Sequence, residues 1–411
     1  MRVPRCAMAL AALWLAGATV AAAGDGGVFQ RPEHPERLVR ADGRPAVLCG
    51  AGDPEDFLYR GRRMPDGTRQ GDQEAIIRRL AAHGGNCLYL QVVRSHGGDG
   101  RPDHNPFVGS NPARGLSEPI LAQWERWFQM MDRLGVSALL FLYDDSARIW
   151  STGDAVGEPE RAFVEALARR FRHLPNLVWI VGEEAEEAMT PRRCQALAAL
   201  LRTADRPGRV IGNHHWSGTD FPSWVPGGDL SLLAMQCNVP PAQAHARALE
   251  ARRRAGGRYA VLYAENTELE RATTDDARRF LWGSAMAGVW PLLYGIDVVS
   301  TPPATLRLLG VLRRFFEEAA LASPEPADDL AFSAAVWALR DARRGWVACA
   351  DGAEGPLGLR NLPPGVYRLR WVDAASGRTA TERRSWTDAG DRLLVRPAGI
   401  GPACAVWLRR E

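Results

Sequence analysis

The sequence predicts an α/β fold, a (β/α)8 TIM barrel followed by a small C-terminal antiparallel β-sandwich. Three observations carry this expectation. Eight short apolar runs recur between about residues 45 and 320. Amphipathic helical stretches alternate with them. Beyond residue 329 the helices stop, and short strands separated by Gly, Pro and Asp take over. Strands buried on both faces read as continuous apolar runs, and intervening helices imply parallel pairing. Eight such units favour a closed barrel over an open sheet, the more so because no G-x-G-x-x-G follows the first run.

The elements follow in order. Met1–Arg5 is short and basic, Cys6–Val20 is apolar, and Ala21-Ala22-Ala23 precedes Gly24 as an A-x-A cleavage site. Residues 1–23 thus read as a secretory signal peptide, and the mature chain is expected in the periplasm or outside the cell. No later run is long enough to span a membrane. The expected barrel strands are Ala46–Gly50, Cys87–Val93, Ser137–Tyr143, Leu177–Val181, Arg209–Asn213, Leu230–Gln236, Tyr259–Ala264 and Val289–Tyr294. Helices are expected near 73–83, 118–134, 158–172, 191–203, 241–255, 274–287 and 303–321. In the second, Ile120, Leu121, Trp124, Trp127, Phe128, Met131 and Leu134 share one face, and Gly135 supplies the stop. The barrel then covers 24–321, a Pro- and acid-rich linker 322–329, and the sandwich 330–411. Sandwich strands are expected at Phe332–Leu339, Trp346–Ala350, Val366–Val372, Leu393–Val395 and Cys404–Leu408.

Composition narrows the chemistry. All 51 basic residues are Arg, which excludes any mechanism that needs a Schiff-base lysine. A net charge of +3 spread along the chain gives no nucleic-acid footprint. After cleavage six cysteines remain, with no C-x-x-C among them, so a zinc ribbon is not expected. Cys349 and Cys404 could pair in an oxidising compartment, or could be buried thiols. No G-x-S-x-G elbow is present.

In such a barrel, chemistry gathers at the C-terminal ends of the strands. Glu183 and Glu184 follow the fourth strand, and Glu265 follows the seventh. Two carboxylates across a barrel mouth are what glycoside hydrolysis needs: one protonates the leaving oxygen, and the other attacks the anomeric carbon or activates water. Mutual charge and burial would keep one of them protonated near neutral pH. Glu184 and Glu265 are therefore the expected catalytic pair. The competing reading takes Glu183, Glu184, Glu186 and Glu187 as the acidic first turn of the next helix. Other strand ends carry Asp53, Tyr143, Asp144, His214 and Gln236, the planar and polar groups that read sugar hydroxyls. Trp150, Trp216, Trp224 and Trp290 are candidate platforms for a sugar ring, with Trp290 taken into the substrate-binding set. Glu183 is expected to steer substrate or raise the proton affinity of Glu184. His214 and His215 are adjacent on a strand and point to opposite faces, so no metal is expected, nor any other cofactor. The expected partner is an oligo- or polysaccharide.

The stretch His34–Pro45, ending in Asp42-Gly43-Arg44-Pro45, resembles the start of apiosidase-like glycoside hydrolases. Asn176-Leu177-Val178-Trp179-Ile180-Val181-Gly182-Glu183-Glu184 resembles their fourth strand and that of the wider retaining superfamily. The resemblance implies Glu184 as general acid/base. Glu183 stands where the superfamily has an Asn that contacts the sugar 2-hydroxyl, so recognition of that hydroxyl departs from the pattern. Glu265–Glu270, Asp275–Arg279 and Leu293-Tyr294-Gly295 are similar to the seventh and eighth units, which implies Glu265 as nucleophile. Gln236 and one of His214 or His215 match positions near the sugar. Val366–Gly377 resembles a β-sandwich often named a collagen-binding domain, a name from which no collagen binding is inferred. The alternative of another class is a non-catalytic carbohydrate-binding or cell-surface protein on the same scaffold.

Overall fold

The computed structural model describes residues 27–52, 56–98, 100–150, 152–321 and 324–411. The expected signal peptide and Asp53 lie outside the described residues. A hairpin, Phe29–Arg31 with His34–Val39, precedes eight parallel strands. These are β1 (Gly50–Gly52), β2 (Cys87–Val93), β3 (Ser137–Tyr143), β4 (Leu177–Gly182), β5 (Ile211–His215), β6 (Leu232–Gln236), β7 (Ala260–Glu265) and β8 (Trp290–Tyr294). They pair in the order β6-β7-β8-β1-β2-β3-β4-β5, and β5 pairs with β6, so the curled sheet returns on itself. The seam at β1 is thin, because a single register pair, Gly50 with Cys87, joins it to β2. A Cβ at Gly50 would sit 2.0 Å from the Cys87 carbonyl oxygen, so only glycine allows this approach.

Among the described residues seven α-helices lie outside the sheet: α1 (Gln73–Ala82), α2 (Glu118–Arg133), α3 (Glu158–Phe171), α4 (Pro191–Ala204), α5 (Ala244–Ala255), α6 (Thr274–Met286) and α7 (Pro303–Ala319). Turns, not a helix, connect β5 to β6. The strands are buried on both faces, as their apolar runs require. Inside the sheet pack Tyr89, Phe141, Ile180, Leu232, Leu262 and Leu292; outside it, Leu90, Leu140, Trp179, Leu233 and Tyr263 face the helices. The first strand lies four residues later than its apolar run. Residues 46–49 are buried and extended, but the Ala46 N–H bonds to Leu38 in the hairpin, and the Cys49 N–H bonds to the Asn86 side chain at 2.9 Å.

The C-terminal part forms two antiparallel sheets. Its strands are β9 (Glu325–Pro326), β10 (Ala331–Ser333), β11 (Trp337–Asp341), β12 (Gly345–Asp351), β13 (Leu357–Leu362), β14 (Gly365–Asp373), β15 (Thr379–Trp386), β16 (Gly390–Leu394) and β17 (Ala403–Arg410). One sheet runs β9-β11-β12-β17-β14-β15, the other β10-β13-β16. Leu357, Leu359, Leu369, Trp371, Val406 and Leu408 fill the core they share. The run Phe332–Leu339, expected as one strand, divides into β10 and β11 in different sheets. Three strands go beyond the sequence expectation: β9; β13, interrupted by Gly358 and Asn361; and β15, whose alternation is obscured by Arg and Thr. Within the stretch 322–329 expected as a linker, β9 already pairs with β11. Asp328 accepts a 2.8 Å hydrogen bond from His245 on α5.

The larger sheet packs its second face on the barrel: Leu339, Val347, Cys349, Val372 and Trp407 join the core that lines α6 and α7. Cys349 and Cys404 are free thiols. Register sets Cys404 opposite Ala350, and Cys349, next to Ala350, points to the other face, toward the barrel, so of the two alternatives left open the buried thiols hold. Asp351 of β12 bonds Arg278 at 2.9 Å and Arg279 at 2.7 Å on α6. Arg278 is buried, so removing its partner strands a desolvated cation. Asp351→Ala should therefore destabilise the chain by about 2–4 kcal/mol, a value reduced from complete loss of pairing because Asp275 also reaches Arg278. The check is the urea midpoint at unchanged slope.

Candidate active site

Glu265 reaches the barrel interior through a register shift. Met235 of β6 lies opposite Tyr263, whereas Gln236 lies opposite Glu265, so Ala264 is an extra residue in β7. Ala260, Leu262 and Ala264 face inward, and regular alternation would turn residue 265 out toward the helices. The bulge restores it to the inner face beside Gln236. There the Gln236 amide donates to Glu265 Oε1 at 2.6 Å. His214 Nε2 stands 3.6 Å from Glu265 Oε2.

The end of β4 is irregular too. Glu184 adopts a left-handed backbone (φ 36°, ψ 48°), an uncommon and costly state for a residue with a side chain. Its N–H donates to His214 Nδ1 at 3.0 Å. That bond fixes the imidazole tautomer: Nδ1 accepts, so the proton sits on Nε2 and faces Glu265. Complete burial, aided by neighbouring His215, lowers the His214 pKa to about 3, and the ring stays neutral at any working pH. Glu184 itself is half-buried, and its carboxyl is pushed up to about 7. Desolvation is the main cause; Glu187 and Asp145 raise it further, against the Gln236 amide, which favours the ionised form. The buried Gln236 Oε1 has no hydrogen-bond partner among the described residues.

Glu183 is held in a different way. Tyr89 O–H and the Gln91 amide, both from β2, donate to its two oxygens, and the Asp145 N–H adds a 3.4 Å contact. Arg94 donates to Gln91 Oε1 and stands 3.9 Å from Asp144. Asp144 in turn accepts the Asp145 N–H at 3.1 Å. This buried network ties β2, β3 and β4 together beneath the site. Tyr89 also stacks on Phe141 (centroids 4.0 Å) and meets His214 and Tyr294 edge-on.

The sequence-predicted residues therefore divide. Glu183, Glu184, His214, Gln236 and Glu265 converge, and Asp144 joins them through Arg94 and Asp145. Tyr143 does not: its hydroxyl donates to Glu160 on α3 at 2.6 Å, and two 2.8 Å bonds from Arg193 hold that carboxylate. Trp290 stands at the first position of β8, the opposite end of the strand from the site, and packs edge-on against Phe316. It lines a cavity of about 410 Å3 at the barrel base, with Arg252, Tyr259 and the N-terminal hairpin. Trp150 and Trp224 pack against Phe163 and Tyr259, and Trp216, directly after β5, is 54% exposed. Tyr89 and Gln91 were not anticipated as site residues, whereas Tyr294 closes the eighth expected strand. Alternation along β2 sets 87, 89 and 91 on the inner face, and that signal could have found both.

The acidic run 183–187 is not a helix start. A single 3-10 turn, Ala185–Glu187, follows Glu184, and α4 begins at Pro191 after its own N-cap, Thr190. Glu186 bonds His215 Nδ1 at 2.8 Å on the far side of β5, so the adjacent histidines face opposite ways. Two carboxylate trios have ligand oxygens within 4.8 Å of one another: Asp144, Asp145 and Glu183, and Asp145, Glu184 and Glu187. No helix among the described residues is long and apolar enough to cross a membrane.

No protein-family model matches this sequence, and no curated protein matches it. Solved structures do resemble it. A candidate glycoside hydrolase from Bacteroides vulgatus superposes with a TM-score of 0.73 at 15% identity, covering 94% of this chain and 83% of that one. A protein described as a glycoside hydrolase gives 0.67 at 13% identity over 94% and 97%. A glycoside hydrolase family 5 protein from Bacteroides vulgatus gives 0.63 at 14% identity over 94% and 93%. At these identities the likeness is one of fold: a curled parallel sheet with helices, followed by antiparallel sheets.

The raised proton affinity of Glu184 has a consequence for stability. A carboxyl whose pKa rises on folding, here from 4.5 to about 7, binds its proton more tightly in the folded state. Its contribution is present below about 4.5 and is lost as pH rises toward 7. Glu184→Gln cannot ionise, so its thermal midpoint should gain on that of the wild type across this window. Parallel melting curves that do not diverge would contradict the assignment.

Proposed function

We propose that this protein is an exported glycoside hydrolase that cleaves an oligo- or polysaccharide by a two-carboxylate retaining mechanism. The observation that carries the proposal is that Glu184 and Glu265 meet on His214: the Glu184 N–H donates to Nδ1 at 3.0 Å, and Nε2 stands 3.6 Å from Glu265 Oε2. Two side chains from opposite sides of the mouth can then address a single glycosidic bond.

Glu184, with its carboxyl near neutral in proton affinity, donates its proton to the departing glycosidic oxygen. Glu265 attacks the anomeric carbon, and the glycosidic C–O bond breaks as the C–O bond to Glu265 forms. The Gln236 amide, donating at 2.6 Å, holds Glu265 as a carboxylate aimed at that carbon, with the Nε2 of neutral His214 3.6 Å away. Glu184, now ionised, takes a proton from water, which displaces Glu265 and regenerates both groups. Trp216 offers an exposed aromatic face beside the mouth for a sugar ring. Fold likeness to glycoside hydrolases and the apiosidase-like motifs support the class of reaction. The leader-like residues 1–23 support export to the periplasm or medium.

Screening the chain on aryl glycosides and plant or microbial polysaccharides should yield turnover. On a substrate so found, Glu184→Gln and Glu265→Gln should each lower kcat/KM by about 10²–10⁴-fold or more while the fold persists. Wild-type-like activity in either variant refutes the roles. The anomer released first, read by proton NMR, should match that of the substrate; inversion would make Glu265 a base.

A further inference from the structure

Resting on that reading, we propose that Glu187 and Asp145 are positioning residues that keep Glu184 protonated before the first chemical step and strengthen it as a base toward water in the second. The geometry begins with the left-handed Glu184, which reverses the chain. The 3-10 turn that follows, closed by Glu187 N–H to Glu184 carbonyl at 2.9 Å, brings Glu187 back beside the Glu184 side chain. The β3–α3 loop fixes the turn from outside. Ser146 Oγ donates to Glu187 Oε2 at 2.8 Å, and Arg148 donates to the Glu187 carbonyl at 3.0 Å. The same loop carries Asp145. One oxygen each from Asp145, Glu184 and Glu187 then lies within 4.8 Å of the other two.

Three carboxylates this close do not all ionise at neutral pH without a compensating cation. A single proton relieves the repulsion, and Glu184 is the more buried of the pair on its loop, so the neutral form costs least there. Charged and titratable groups surround Glu184 from each neighbouring element. Asp145 and Arg148 come from the β3–α3 loop, Glu183, Glu186 and Glu187 from the β4 loop, His214 and His215 from β5, and Glu265 from β7 through Gln236. His214 is neutral, Glu186 is paired with His215, and Arg148 bonds the main chain of Glu187, not its carboxylate. The repulsion within the trio therefore persists. It serves both halves of the reaction: it keeps the acid protonated before the first step, and it makes the ionised Glu184 a stronger base toward water in the second.

The test is the pH profile of kcat/KM on an aryl glycoside that the wild type turns over, measured in EDTA. A general acid must be protonated, so activity falls as pH rises through its pKa. Glu187→Gln removes a like charge and should move this high-pH limb down by about half to one pH unit, with little change in KM. Asp145→Asn should move it the same way, and Glu187→Asp should keep it near its original place. Glu158→Gln removes an exposed carboxylate outside the trio and should leave the limb unmoved. An unmoved limb in both charge variants overturns the proposal, as does an equal shift in Glu158→Gln. Wild-type activity lost in EDTA and restored by calcium would show a cation in the trio, and also overturns it. Full activity in Glu184→Gln is a separate outcome that defeats the hydrolase reading itself.

Discussion

The 2.6 Å hydrogen bond from Gln236 to Glu265 organises the site, and it exists only because β7 carries one residue more than its partner. Without Ala264 as the extra residue, the carboxylate would point into the helix layer, among Tyr263 and Phe280. With it, two carboxyl groups of opposite preference share the inner face. Glu265 receives the Gln236 N–H, which stabilises negative charge. Glu184 sits among desolvating surfaces and like charges, which oppose it. Equal residue types thereby acquire unequal roles, and that inequality is what acid/base and nucleophilic work require.

His214 carries the coupling to the backbone. The main-chain N–H of Glu184 occupies one ring nitrogen, and the other faces Glu265. The tautomer that satisfies one contact creates the other, so the strained backbone of Glu184 and the orientation of Glu265 are linked through one neutral ring. Beneath this layer Glu183, Tyr89, Gln91, Arg94 and Asp144 form a connected polar network. Glu183 thus spends both oxygens on β2 and on the Asp145 N–H, and acts as a brace between strands.

Much of this was legible in the sequence, for physical reasons. Strands buried on both faces leave continuous apolar runs, so β2 and β3 were found with their exact limits, and every barrel helix left its 3.6-residue stripe. The rule that chemistry sits at the C-terminal strand ends found Glu183, Glu184, His214, Gln236 and Glu265. It failed for Tyr143 and Trp290. Tyr143 ends its strand but leans outward to Glu160, and Trp290 opens its strand where the rule wants a residue that closes it. Local pattern also could not show the bulge at Ala264 or the left-handed turn at Glu184, because both are set by partners distant in sequence. In the C-terminal sheets, β13 and β15 were missed because Gly, Asn, Arg and Thr interrupt their alternation, while pairing to long neighbours supplies the order that their own residues lack.

The account stands on Glu184 and Glu265 acting upon one anomeric carbon. Its most direct measurement is covalent trapping with a 2-deoxy-2-fluoro glycoside of a sugar the protein hydrolyses, followed by peptide mass spectrometry. The account predicts one adduct per chain, located on Glu265, and faster loss of label when an acceptor alcohol is added. An adduct on another residue, or steady hydrolysis of that glycoside with no adduct and with inversion at the anomeric carbon, would contradict it.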